Sequence, residues 1–170
     1  MACTLTKGRL EPCRDAIGGI KAVYLIDYQE DAFTIAAGEI TAIDAGVTAA
    51  YKYELMSDNN TLVETFTADA NNGTSIYEQV LTMTLKKQDK ATASELAIIV
   101  KARPIAIVQF RDGNYRAVGV SDGTVATGDI QSGGAKADFN GYNLTLTATE
   151  VEPAPYLDEA SISTLLGLVA

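Results

Sequence analysis

The chain has 170 residues, 47% of them hydrophobic and 21% charged, enough for one domain with a sizeable core. Lys and Arg number 13 against 22 Asp and Glu, a formal charge of −9, so its general field repels phosphate and excludes wrapping of nucleic acid. It has no histidine, which excludes Ser-His-Asp and Cys-His catalysis, and no apolar run near twenty residues, which excludes a transmembrane helix.

Residues 1–19 read as an extended N-terminal arm holding Gly8, Pro12 and Gly18-Gly19. Met1-Ala2-Cys3-Thr4-Leu5-Thr6-Lys7 lacks the apolar stretch of a secretory signal. Cys3 and Cys13 also lie in the arm. With no His they cannot complete a four-ligand zinc site, and they are expected to be reduced thiols.

Ile20 to Tyr28 reads as a strand, with Ala22, Tyr24 and Ile26 on one face and Val23 and Leu25 on the other. Phe33 to Ile43 reads as a strand pair broken at Gly38. Asp27, Glu30, Asp31, Glu39 and Asp44 cluster in sequence, but EF-hand spacing is absent and solvated loop charge explains them. Ala50–Met56 and Thr61–Thr67 form a candidate hairpin around the turn Ser57-Asp58-Asn59-Asn60. Its aromatic side either covers a core or lies on a neighbouring subunit.

Ala70-Asn71-Asn72-Gly73 makes the next turn, into a strand from Ile76 to Lys86. Tyr77, Leu81, Met83 and Leu85 line one face, and Gln79 interrupts it. A helix is predicted near 92–103. Thr92 and Glu95 form its capping box and Pro104 stops it. Ile105–Phe110 reads as a buried strand, followed by turns at Asp112-Gly113 and Asp122-Gly123. Ser132-Gly133-Gly134 lacks the following helix that a phosphate cradle needs, and reads as a loop. Tyr142 to Glu150 closes the set, with Tyr142, Leu144, Leu146 and Ala148 facing in. Tyr24, Tyr77 and Tyr142 are expected at core edges with their hydroxyls in water. The glycosylation patterns at Asn59, Asn72 and Asn143 read as chance matches.

The expected fold is mainly β: an antiparallel β-sandwich or curled barrel over residues 20–152 with one flanking helix. Residues 153–170 leave it as a strap and a short apolar helix. Apolar groups in a tail are costly in water, so Leu165, Leu166 and Val169 are expected to meet a partner surface.

Gly134-Ala135-Lys136-Ala137-Asp138-Phe139-Asn140-Gly141-Tyr142-Asn143-Leu144-Thr145-Leu146-Thr147 resembles the closing loop and strand of bacteriophage tail-tube-like proteins. There a Thr-rich strand precedes an acidic-proline exit such as Glu150 to Tyr156. Leu5-Thr6-Lys7-Gly8-Arg9 with Ile17-Gly18-Gly19-Ile20-Lys21 is similar to virion proteins of phages infecting Bacteroides-type gut bacteria, including crAss-like phages. The resemblance implies a virion protein of the tail or neck, made in the host cytoplasm. It implies a β-sandwich in six- or twelvefold rings of identical copies, either a tail tube or a head–tail connector. DNA would pass through without specific binding, other connector or tail proteins would be neighbours, and no membrane, metal, cofactor or catalytic residue is implied. The hairpin Tyr51, Tyr53, Leu55, Leu62, Val63 and Phe66, with Tyr156, Leu157, Leu165 and Leu166 of the C-terminal arm, is then the expected subunit interface. The missing catalytic groups and the acidic charge agree independently.

Two other readings compete. A capsid decoration or surface-binding module fits a sandwich with polar Thr faces. An enzyme using paired carboxylates fits poorly, because the carboxylates fall mostly in turns and outside apolar patches.

Overall fold

The computed structural model describes residues 4–170 and is mainly β. In chain order the elements are β1 (Ile20–Ile26), β2 (Phe33–Ala36), β3 (Glu39–Ile43), β4 (Tyr51–Glu54), β5 (Thr61–Asp69), β6 (Thr74–Lys86), α1 (Lys90–Ile99), β7 (Ile105–Phe110), β8 (Tyr115–Val118), β9 (Val125–Gln131), β10 (Gly141–Glu150), β11 (Tyr156–Leu157) and α2 (Glu159–Gly167). The strands form two open sheets, of order β2-β3-β11-β8-β7-β1-β4 and β5-β6-β10-β9. Neither closes on itself, so the fold is the sandwich and not the barrel.

The central strands of the larger sheet, β1, β7 and β8, are buried on both faces. Val23, Leu25, Ala106, Val108 and Val118 pack against Leu81, Met83, Leu144 and Leu146 of the smaller sheet. Ala22, Tyr24, Ile26, Ile105 and Ile107 face a second core, with Ile40, Leu157 and Leu165. Double burial explains why β1 and β7 read as nearly unbroken apolar runs. The exception, Lys21, sits at a register irregularity between Ile20 and Ala22 that leaves it exposed. The assignment of the two faces of β1 is borne out. So is the β2–β3 pair, whose turn places Ala37 and Gly38 at φ +53° and +82°.

Three local expectations are corrected. Residues 51–67 are not a hairpin: β4 pairs with β1 in the larger sheet, and β5 pairs with β6 in the smaller. Asn60 pins the crossover. Its Oδ1 accepts from Thr84 N at 2.7 Å, and its Nδ2 donates to Ser57 O at 2.9 Å. The helix starts earlier than Thr92, because Asp89 is its N-cap. The two Asp89 oxygens accept from Thr92 N at 2.8 Å and Thr92 Oγ1 at 2.6 Å. The helix ends at Ile99, several residues short of Arg103. The hydroxyls of Tyr24 and Tyr142 are bonded inside the protein, donating to Gln109 Oε1 at 3.2 Å and Asp89 O at 3.0 Å.

The C-terminal segment does not leave the fold. After Pro153 and Pro155, β11 inserts between β3 (parallel) and β8 (antiparallel). Helix α2 is capped by Asp158, which accepts from Ser161 N at 2.7 Å, and Ser161 Oγ donates to Ile40 O at 3.0 Å. Leu165 is fully buried in the second core, and Val169 forms a parallel bridge with Ala50. The apolar residues expected to seek a partner are largely satisfied by the chain's own larger sheet. The N-terminal arm differs: residues 4–19 are exposed throughout and carry no helix or strand.

Leu165→Ala should lower unfolding free energy by about 3 kcal/mol, because it opens a cavity where the helix meets the sheet. Leu166→Ala, half-exposed on the same helix, should cost under about 0.5 kcal/mol in the same urea titration.

The carboxyls of Asp89 and Asp158 are held below the ordinary value. Asp89 is lowered first by its side-chain bond to Thr92, and Asp158 first by the Ser161 backbone N–H. A carboxyl depressed in the folded state contributes stability that is present above its unfolded pKa. That stability is lost as pH falls through the folded value. The urea midpoint of Asp89→Ala should therefore lie below wild type at neutral pH, and the gap should narrow as pH falls below about 4.

Candidate assembly surface

Neither core is open to solvent, so any functional surface lies at the edges of the sheets, at their ends or on the arm. The residues expected at a subunit interface separate into two groups. Leu55, Leu157 and Leu165 are buried in the chain's own cores and cannot meet a partner, which corrects their assignment. Tyr53 and Leu62 are half-buried against the first core. Burial, and then the charge of Glu95, pushes the Tyr53 hydroxyl pKa up. Tyr51, Val63, Phe66, Tyr156 and Leu166 remain exposed. Tyr51 lies on edge strand β4, Val63 and Phe66 on edge strand β5, Tyr156 on β11 and Leu166 on α2, so they do not form one patch.

The long hairpin of this protein is β5–β6, turning at Ala70 to Gly73. Its register is Leu62↔Leu81, Val63↔Val80, Glu64↔Gln79, Thr65↔Glu78 and Phe66↔Tyr77. Strand pleating puts Leu62, Glu64 and Phe66 on the core-facing side, with Leu81, Gln79 and Tyr77 opposite them. The first pair is core. The second is polar and closes the sandwich. The third lies past that closure: Phe66 is 76% exposed, and its ring centroid is 6.1 Å from that of Tyr77.

The polar closure ties together both sheets and the strap. Glu64 Oε1 accepts from Arg116 Nη2 at 3.0 Å, and Glu64 Oε2 accepts from Ala154 N at 2.7 Å and Gln79 Nε2 at 3.1 Å. Gln79 Oε1 accepts from Gly119 N at 3.2 Å. Arg116 Nε and Nη2 both donate to Ala154 O, and the guanidinium lies 5.1 Å from the Tyr156 ring centroid. Both Glu64 oxygens are occupied and its charge is matched, so the cluster is built to hold the structure and offers no free base. This explains the interruption at Gln79 seen in the sequence. No buried side-chain nitrogen or oxygen among the described residues lacks a partner.

The remaining sequence candidates are placed as follows. The Gly133-Gly134 loop is filled from within: Asp138 Oδ2 accepts from Gly134 N at 2.9 Å and Ala135 N at 2.7 Å. Asp44 accepts from Gln29 Nε2 and Gly46 N, both at 2.8 Å, and the Gly46 bond first, then the Gln29 bond, lower its pKa. Among the described residues, no three His, Cys, Asp or Glu side chains converge as metal ligands would. Of the residues in glycosylation patterns, Asn59 and Asn72 are exposed and Asn143 is half-buried on β10. Cys13 is exposed, and Cys3 lies outside the described residues.

Exposed apolar residues that sequence reasoning passed over are Met56, Val125 and Ile130, with Ile76 on the hairpin and Leu5 and Leu10 on the arm. The alternation around Ile76 was visible. Its exposure follows from the pleat, which puts Ile76 on the outer face of β6 with Glu78, opposite the row of Tyr77 and Gln79. Edge strands β2, β4, β5 and β9 each leave one row of backbone groups unpaired within their sheets.

Comparison with protein-family models, with curated proteins and with solved structures finds no match for the chain.

Arg116→Met should destabilise the fold by about 2–3 kcal/mol. It strands Glu64 beside a hydrogen-bonded strap, and the pair's partial exposure keeps the loss below that of a fully buried ion pair. Adding Glu64→Gln to that variant should cost much less than it does in the wild-type background, as a double-mutant cycle in urea would measure.

Proposed function

We propose that this chain is a structural subunit of a bacteriophage virion, forming a ring or tube around the DNA channel of a tail or head–tail connector. The observation that carries the reading is the overhanging β5–β6 hairpin. A fold that satisfies its buried polar groups and packs its own C-terminus nevertheless holds Phe66 in water, on the face that elsewhere meets a core. A large aromatic left out of a well-closed core is a contact waiting for a neighbour.

Three further features support assembly. The arm of residues 4–19 carries exposed Leu5, Leu10 and Ile17. Four edge strands are available for pairing with other copies. The net charge of −9 suits a channel wall, since a surface that repels phosphate lets a duplex slide without adhering. The resemblance of Gly134–Thr147 and of the arm to tail-tube-like and gut-phage virion proteins supplies the virion setting.

A decoration module on the capsid surface is the second reading, favoured by the exposed threonines of β5. Immunogold labelling separates the two, since a ring protein marks the neck or tail and a decoration protein marks the head.

Electron microscopy of the purified full chain, at high concentration and mixed with the virion proteins adjacent to it, should reveal rings or short tubes with a central channel. Monomers alone under every one of these conditions, by microscopy and by light scattering, would overturn the proposal.

A further inference from the structure

The sandwich has two different ends. At one end projects the β5–β6 tip, with Phe66 and Tyr77 on its core-facing side. Outside the Glu64 closure, the tip segment 65–78 carries Asp69 and Glu78 and no Lys or Arg. Asp69 is held in a fixed pose, since its Oδ1 accepts from Asn71 N at 2.8 Å and Asn72 N at 3.2 Å. The tip is an apolar wedge with an acidic border.

At the other end lies an open cleft of about 480 Å³, lined by Ile17, Lys21, Lys52, Leu55, Met56 and Arg111, with Glu54 beside them. Met56 is 86% exposed, and Ile17 is exposed where the arm begins. Lys52 is paired with Glu54 at 2.9 Å. Lys21 and Arg111 form no salt bridge among the described residues. In a chain of charge −9, this cleft gathers three cations against one carboxylate. Met56 opens the crossover that leads to Thr61 at the start of β5, and the tip begins past Glu64, with Phe66 five residues beyond Thr61. At about 3.3 Å per residue, Phe66 lies about 17 Å along the strand from Thr61.

We propose that the acidic apolar tip of one copy seats in the basic apolar cleft of the next. The occupant is a second copy because one chain carries both halves of a complementary pair. The tip cannot reach its own cleft, since the rigid length of its own hairpin separates them. A contact between two different patches is heterologous: each seated tip leaves one tip and one cleft free, so the contact repeats until a rotation closes it. Phe66 and Tyr77 would fill the space over Met56 and Ile17, while Asp69 and Glu78 meet Lys21 and Arg111. The inference rests on the ring reading above and names the surfaces that would build it.

The test uses the full chain and sedimentation velocity. Phe66→Asp disables the tip and Met56→Asp disables the cleft. Both side chains are exposed, so circular dichroism and the urea midpoint should match wild type. Wild type should form species larger than a dimer, and each variant alone should associate at least about tenfold more weakly. An equimolar mixture of the two should stop at a species of two chains, since one intact tip meets one intact cleft and nothing can follow. Charge exchange gives a second measure: Asp69→Lys with Glu78→Lys should weaken assembly, and adding Lys21→Glu with Arg111→Glu in the same chain should restore it. If wild type assembles and both single variants assemble as well as it does, the tip-to-cleft contact is wrong while the ring reading stands. If wild type forms rings only beside other virion proteins, the same variants are read there. Wild type that never associates sinks both.

Discussion

Burial of the larger sheet's central strands on both faces is the constraint on which the rest depends. Central strands with apolar side chains above and below need two covers. The smaller sheet supplies one, through Leu81, Met83, Leu144 and Leu146. The other has to come from elsewhere in the chain, and the C-terminus provides it: β11 threads between β3 and β8, and α2 lays Leu165 onto the uncovered side. The strap of Pro153 and Pro155 is therefore a route back into the core. Its extended backbone suits insertion as a short strand between two others.

The Glu64–Arg116–Gln79 cluster decides where the sandwich stops. It joins β5, β6 and β8 to the strap at Ala154, and it replaces apolar packing at the point where the larger sheet ends. Beyond it, hairpin β5–β6 continues with nothing above it. The core-facing rows that carry Leu62 and Leu81 thus reach Phe66 and Tyr77 four residues further toward the tip, where Phe66 is exposed and Tyr77 half-buried. One row of side chains serves as core, lock and free surface in turn.

This division bears on the assembly proposed here. A subunit that must stay soluble before it assembles needs a self-sufficient core, with few apolar groups left outside it. The body meets that condition, with both cores closed and the C-terminus docked. Apolar groups left in water include those of the hairpin tip, the cleft around Met56, the outer strand β9 and the N-terminal arm. An arm without regular structure orders at little cost against a neighbour's surface when its contacts are made, which lets assembly follow folding.

Composition and local pattern determined much of this protein. The absence of histidine, the acidic balance, the mainly β class, the faces of β1, β6 and β10, and the Gly38 turn all follow from residue identity or from period-two alternation, which depends on near neighbours in the chain. Tertiary structure alone decided which strand pairs with which. Tyr51–Leu55 and Leu62–Phe66 alternate as two strands of a hairpin would, yet they lie in different sheets, because alternation reports which face is buried and is silent about the partner. The same limit hid the fate of Leu165. An apolar helix face looks alike whether it waits for another molecule or for its own sheet, and only the return of the strap through β11 supplied the cover. The exposure of Phe66 was equally out of reach, since it depends on one strand outlasting its neighbour by a few residues.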